Sequence, residues 1–329
     1  MTPFHQRRNN TKKEGASMRV IDALEEFYLS MEGALSPKTV IWYRQKLESL
    51  GWSLGDCTID EVTIRMLRTW RSLLAQRSER YLNHPSKPIV EGGLSAESIR
   101  GHVRACRRFF HWLEEEGYLD TNVAKRLEQP PKPIRTRKGI KVSDRNAIIR
   151  EAEISPRDYA LALFLADTGC RVAGVVGLKL GDLDLENGTA EVFEKGRGGN
   201  KKARLVFFVQ KTRRALDDWL EEVRPDTPDC DNVFLATGKG GCISKPHGLK
   251  ESGVYQVLKR LAKRAGVTSG FNLHNWRHGA ARGMIKNGAS LIEVCQLLGH
   301  SSVTVTGDYY GTFDEEELRE SHREYSWIE

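Results

Sequence analysis

A single interruption constrains this chain more than any other feature: QPPKPIRTRKGIK, residues 129–141. Pro130, Pro131 and Pro133 have no backbone donor and a fixed φ, so neither a helix interior nor a central strand runs through them. Lys132, Arg135, Arg137, Lys138 and Lys141 make the same stretch basic. A chain of 329 residues divided there is expected to fold as two units, since domains run to roughly 100–200 residues. The boundaries read as an aperiodic basic arm over 1–17, a helical domain over 18–128, the linker over 129–141, and a second domain over 142–329 with an acidic tail from 312. Two readings of the linker stay open: a solvated spacer, or a run of cations laid along a phosphate backbone.

The first domain reads as helical throughout. Val20, Leu24, Phe27, Tyr28 and Met31 recur at three- and four-residue steps over 20–32, which is the period of one helix face. Ser36-Pro37 supplies an N-cap and a first-turn proline for a helix through Leu50. Ile64, Leu67, Trp70 and Leu74 mark the inner face of a third helix over 60–76. A loop is expected over 77–93, and Ser95 opens a fourth helix that stops at Gly117.

The second domain mixes periods. Helices are expected at 143–153 and 156–168, then at about 211–223, 252–265, 273–287 and 290–298. Between them TAEVFE and ARLVFFV, 189–194 and 203–209, read as strands joined by a basic tip, KGRGGNKK. The fold class is therefore mainly α with a small β-hairpin or sheet.

Charge points to a polyanion. Residues 1–138 carry 24 Lys+Arg against 17 Asp+Glu, and 139–307 carry 25 against 19. The 22 residues from 308 hold 2 basic and 8 acidic side chains. A positive body with an acidic end suits nucleic acid as partner. No window offers the ~18 apolar residues of a transmembrane helix, and no apolar stretch follows the basic start, so a cytoplasmic, nucleoid-associated protein without a membrane partner is expected. Six cysteines without a C-x-x-C pair fit a reducing compartment and neither a zinc ribbon nor a disulfide framework.

Four segments of the second domain carry chemistry-bearing residues: TGCRVAGVVGL with Arg171, LHNWRH with His274 and Arg277, LLGHSS with His300, and TGDYY with Tyr309. Each has an ordinary reading when taken alone. An arginine after a Thr-Gly turn and a histidine after Gly299 are common cations at helix ends. His274 and His278, one helical turn apart, have the spacing of a metal pair but no nearby third ligand, so no metal is expected. Trp276 reads as core, and His278 as structural or DNA-facing.

In combination, these segments resemble the tyrosine recombinase (phage integrase) family. That family's pattern places an arginine in a TG-x-R box, then H-x-x-R, then LGH about 23 residues later, then a tyrosine nine residues on; here Arg277 to His300 is 23 positions and His300 to Tyr309 is nine. The family also has a lysine on a β-hairpin between the first two boxes. Lys195 stands there, with Lys201 and Lys202 as rivals because the hairpin is longer than the usual GKGNKER form. SPKTVIWYRQKL resembles the second helix of the family's core-binding domain. One departure is plain: the family's R-x-x-E has its glutamate at the position of Gly174.

The resemblance implies a helical core-binding domain followed by an α+β catalytic domain. It also implies attack of a tyrosine oxygen on a DNA phosphodiester, without ATP, cofactor or metal. Arg171 and Arg277 would hold the non-bridging oxygens, since guanidinium groups stay charged and bind phosphate bidentately. His274 would accept the Tyr309 proton, Lys195 would protonate the leaving 5′-oxygen, and His300 would donate a hydrogen bond. Tyr310 is the alternative nucleophile. DNA contacts are expected from Lys132, Arg135, Arg137, Lys138, Arg104, Arg107, Arg197, Lys201 and Lys202. The implied partners are duplex DNA with an inverted-repeat site and further copies of the chain, two per site and four in a synapse. The tail from Phe313 reads either as a segment docked on a neighbouring protomer or as a solvated end. Two rival functions stand beside this one: a DNA-binding regulator with a silent site, which Gly174 favours, and a type IB topoisomerase.

Overall fold

The computed structural model describes residues 18–80, 88–132, 139–195, 201–227, 229–238, 246–299, 319 and 322–323. Of the residues singled out above, Arg135, Arg137, Lys138, Arg197, His300, Tyr309, Tyr310 and nearly all of the tail lie outside these, as do the side chains of Lys195 and Lys201. The chain divides into two compact units, Met1–Ile134 and Arg135–Glu329.

The first unit is built around four helices: α1 (Val20–Met31), α2 (Pro37–Leu54), α3 (Ile64–Gln76) and α4 (Ala96–Glu115). On α4, Ile99, Val103, Cys106, Phe110 and Leu113 are buried, the i, i+4, i+7 stripe that a helix needs to face a core. They meet Phe27, Leu47, Leu67 and Trp70 from the other three helices. Burying the indole of Trp70 requires a partner for its N–H, and Ser49 Oγ accepts it at 3.2 Å. Ser95 caps α4 by accepting from Ser98 N at 3.2 Å, and Gly117 ends the helix with φ 77°.

Three details differ from the sequence expectation. Helix α2 runs one turn past Leu50, because Gly51 lies in the contact with α1: a Cβ there would sit 3.3 Å from Ile21 Cδ1. Helix α3 starts at Ile64 and not at 60, because 58–61 form a turn closed by Thr58 N donating to Glu61 Oε2 at 3.0 Å, and Thr63 is the cap. The loop over 77–93 contains a short antiparallel ribbon, β1 (Glu79–Arg80) with β2 (Val90–Glu91).

In the second unit α5 (Val142–Ala152) and α6 (Pro156–Thr168) are followed by a short α7 (Val172–Gly177) that the sequence pattern did not disclose. A three-stranded antiparallel sheet comes next, in the order β3 (Leu183–Asp184), β4 (Thr189–Lys195), β5 (Lys201–Phe207). The remaining helices are α8 (Gln210–Asp217), α9 (Glu251–Arg264), α10 (Leu273–Lys286) and α11 (Leu291–Leu298). The helix expected to reach 223 changes to a π-helical turn at Asp218–Val223, which seats Trp219 in the core with its indole donating to Val233 O at 2.9 Å. Helix α6 is the central element: Ala160, Leu161, Phe164 and Leu165 are buried, and it packs against α5, α8 and α10. Trp276 is in the same core.

The chain after the linker is pinned to α10. Ile140 N donates to Asn275 O at 3.0 Å, and a Cβ on Gly139 would sit 2.6 Å from Gly279 N. Two glycines therefore allow backbone to lie on backbone, on the helix that carries His274 and Arg277. Among the described residues, no helix is long and apolar enough to cross a membrane.

Candidate active site

The site is assembled at the end of α6. Thr168 closes the helix by donating its hydroxyl to Phe164 O at 2.7 Å and accepting from Cys170 N at 3.3 Å. Gly169 then takes φ 55°, the left-handed conformation that favours glycine. Space makes the same demand, since a Cβ at 169 would sit 2.8 Å from Leu298 Cδ2 and 3.1 Å from Ala280 Cβ. The turn delivers Arg171 as the N-cap residue of α7, in extended backbone.

Helix α10 brings the second arginine. Asn272 caps it by accepting Asn275 N at 3.0 Å. His274 lies exposed in its first turn, and its ring centroid is 6.3 Å from that of His278, which is buried. Arg277 is almost fully enclosed, 5% exposed. Its Nη1 donates to Gly169 O at 2.8 Å and its Nη2 to Leu298 O at 2.5 Å. One side chain thus ties the turn that presents Arg171 to the end of α11, the helix that leads into Gly299-His300.

The two arginines converge on a residue the sequence expectation did not single out. Glu194, on β4 directly before Lys195, is buried. Its Oε1 accepts from Arg171 N at 2.8 Å and from Arg204 Nη2 at 3.0 Å, and lies 3.9 Å from Arg277 Nη1. Its Oε2 accepts from Arg171 Nη1. Burial alone would raise this carboxyl's pKa, but the Arg171 backbone N–H and the Arg204 guanidinium outweigh it and hold the group below the usual carboxylate range. The carboxylate is therefore ionised at neutral pH. Arg204, on β5, also donates Nη1 to Leu297 O, a second tie from the sheet to the end of α11. A Cβ on Gly299, whose φ is 65°, would clash with Arg204 Cδ.

Glu194 had a signal in the sequence. Ala190 and Val192 alternate inward along β4, and Glu194 continues that phase, so it was readable as a buried charge in need of a partner. Arg204 stands opposite Val192 in the β4–β5 register, but that register follows from a hairpin whose length the sequence did not fix.

The two arginines are not equivalent. Arg171 is 38% exposed, with one end on Glu194. Arg277 is committed to backbone carbonyls. Between them Cys170 is buried, and burial pushes its thiol pKa up to about 11. Lys195 ends β4, paired in register with Lys201. Of the DNA-contact candidates, Lys132, Lys202 and Arg104 are exposed and Arg107 is half-buried. The Arg104 guanidinium lies 5.1 Å from the ring centroid of Trp42, an arrangement that leaves a cation at the surface held by an aromatic face.

Comparison with known proteins agrees with this architecture. Residues 140–316 match the model of the phage integrase family, and residues 24–117 match that of the phage integrase N-terminal SAM-like domain. The chain is 30% identical over 314 residues to the tyrosine recombinase XerC of Oceanobacillus iheyensis, covering 92% of this chain and 94% of that protein. It is 30% identical over 223 residues to the tyrosine recombinase XerD of Listeria monocytogenes serotype 4b (strain F2365), covering 66% of this chain and 72% of the relative. Among solved structures, the XerH site-specific recombinase bound to a palindromic difH substrate shares the fold with a TM-score of 0.68 at 20% identity, over 93% of this chain and 84% of that one. The XerA recombinase crystal structure gives 0.51 at 25% identity, over 92% of this chain and 98% of that one.

Proposed function

Because this chain belongs to the phage integrase family of tyrosine recombinases, we propose that it cuts and rejoins duplex DNA at a specific inverted-repeat site through a 3′-phosphotyrosyl intermediate. Two protomers occupy each site and four act together in a synapse. The observation that carries this reading is the convergence of Arg171 and Arg277, from distant segments, on one buried carboxylate beside the strand end that bears Lys195. Such an array is a fixed cation cluster with an open edge at Arg171. A phosphodiester whose oxygens gain negative charge in the transition state is the group it would stabilise.

In this mechanism the Tyr309 oxygen attacks phosphorus and the bond from phosphorus to the 5′-oxygen breaks. The phenol has an ordinary pKa near 10, so a base must take its proton. His274, exposed at the start of α10, is that base, and Lys195 gives a proton to the leaving 5′-oxygen. His300 donates to a non-bridging oxygen. Arg171 grips the phosphate with its open edge, and Arg277 holds the Arg171 turn and the end of α11 in register. The bond energy is retained in the tyrosyl ester, so rejoining is the same step reversed. Its place of action is the nucleoid.

A suicide DNA substrate, nicked so that the released 5′ end diffuses away, tests this. The wild-type chain should accumulate a covalent protein–DNA adduct without ATP. Failure to form any adduct on a site it binds specifically would favour a silent DNA-binding regulator.

A further inference from the structure

We infer that Glu194 is the positioning carboxylate of the arginine cluster, reaching in from β4 to do what an acid on α7 would otherwise do. The inference rests on the reading that Arg171 binds a phosphate while Arg277 holds the turn that presents it. Three observations carry it.

First, Glu194 is a buried acid whose two oxygens are divided among three arginines: both the backbone and the guanidinium of Arg171, the guanidinium of Arg204, and more distantly that of Arg277. No other carboxylate among the described residues makes an ion pair with Arg171 or Arg204. One negative charge among three positive ones leaves a net positive site, so the acid orders the cluster without abolishing its pull on an anion.

Second, the position three residues after Arg171 is filled from outside. Gly174 is buried on α7, and a Cβ there would meet Val192 Cβ at 3.1 Å and Glu194 Cγ at 3.6 Å. Val192 crowds a Cβ at 174, and the stem of Glu194 lies in van der Waals contact with the same position.

Third, with Lys195 taken as the hairpin lysine, two of this chain's departures from the recombinase pattern are complementary. Where R-x-x-E has glutamate there is Gly174, and where GKGNKER has its first glycine there is Glu194. The carboxylate on β4 thus holds Arg171 from across the α7–β4 contact, where α7 itself has Gly174. Glu194 directly precedes Lys195 at the end of β4.

The experiment measures Kd for the recombination site and the single-turnover rate of covalent adduct formation on the nicked substrate. It uses wild type, Glu194→Gln, Glu194→Gly and the double variant Gly174→Glu/Glu194→Gly, each also checked for thermal unfolding. A misplacement of a reacting or stabilising group by about 1 Å costs roughly 10² in rate. Glu194→Gln is therefore expected to slow adduct formation by about 10²-fold with Kd within about twofold. The double variant is expected to cleave at least about tenfold faster than Glu194→Gly. Overturning results would be a Glu194→Gln rate equal to wild type, a rate loss matched by an equal loss of site affinity and of folded protein, or a double variant that melts with wild type yet is no faster than Glu194→Gly. If wild type itself forms no adduct, the recombinase reading fails and this inference falls with it, an outcome separate from a Glu194→Gln variant that cleaves normally.

Discussion

Replacing Arg277 separates structural support from phosphate binding. Its Nη1 and Nη2 donate to Gly169 O at 2.8 Å and Leu298 O at 2.5 Å, and its charge sits 3.9 Å from Glu194. Each hydrogen bond from a charged donor contributes about 1.5–3 kcal/mol, and an acceptor left buried without a partner costs about 1–3 kcal/mol. Removing one partner of a buried charge cluster typically costs about 3–5 kcal/mol in total, since these terms overlap. Arg277→Ala should therefore destabilise the second unit by about 3–5 kcal/mol, lowering Tm by roughly 6–20 °C at about 2–4 °C per kcal/mol for a unit of this size. Arg277→Lys keeps the charge but lacks the planar fork that meets both carbonyls at once, and should lose about half as much. Arg171→Ala removes a guanidinium that is 38% exposed and leaves Glu194 bonded to Arg204. Because it also takes the guanidinium donor from buried Glu194 Oε2, its expected stability cost is about 1–3 kcal/mol, still below that of Arg277→Ala, while adduct formation should fall by about 10²-fold or more. Thermal unfolding by circular dichroism, read beside adduct formation on the nicked substrate, distinguishes the two. If Arg277→Ala melted within about 2 °C of wild type, or Arg171→Ala melted as low as Arg277→Ala, the two arginines would not divide support and phosphate binding in this way.

Other consequences are as direct. Burial raises the Cys170 thiol to about 11, so at pH 8 an alkylating reagent should modify half-buried Cys57 well before Cys170, which should react only on unfolding; early labelling mapped to Cys170 would contradict its burial. His102 is buried against Lys46 O and its pKa falls to about 4. The unfolded chain therefore takes up a proton near pH 6.5 that the folded chain refuses until about pH 4, so this contribution is full above 6.5 and is lost as pH falls toward 4. It amounts to something on the order of 3 kcal/mol by linkage, and His102→Gln should flatten the fall of Tm between pH 7 and 4.5. Binding to the DNA site should weaken steeply with salt, and charge reversal of Arg135, Arg137 and Lys138 should lower the slope of log K against log salt by about 0.9 for each phosphate that is no longer neutralised; an unchanged slope would take the linker off the DNA.

How far the sequence disclosed all this follows from the range of each interaction. Helices were legible because their apolar spacing is local: the stripe on α4 from Ile99 to Leu113 can be read without knowing what it packs on. Ends were less so, since α3 begins where Thr58 and Glu61 close a turn and α8 gives way where Trp219 must reach Val233 O. In the site, Arg171 and Arg277 stood out by spacing from Thr-Gly and His274. Their partners did not, because Gly169 O, Leu297 O and Leu298 O are backbone groups whose availability depends on how α6 and α11 end in space. Gly174 read alone was a missing acid. Only the β4–α7 packing reveals that Glu194 fills the gap.

The central claim is a covalent bond between DNA and one tyrosine. The direct measurement is to trap the adduct on the nicked site, digest it with protease and nuclease, and sequence the peptide that carries the nucleotide. A 3′-phosphate ester is expected on Tyr309, with Tyr309→Phe binding the site normally and yielding no adduct. Nucleotide found on Tyr310 or Tyr325, or an adduct that survives in Tyr309→Phe, would contradict it.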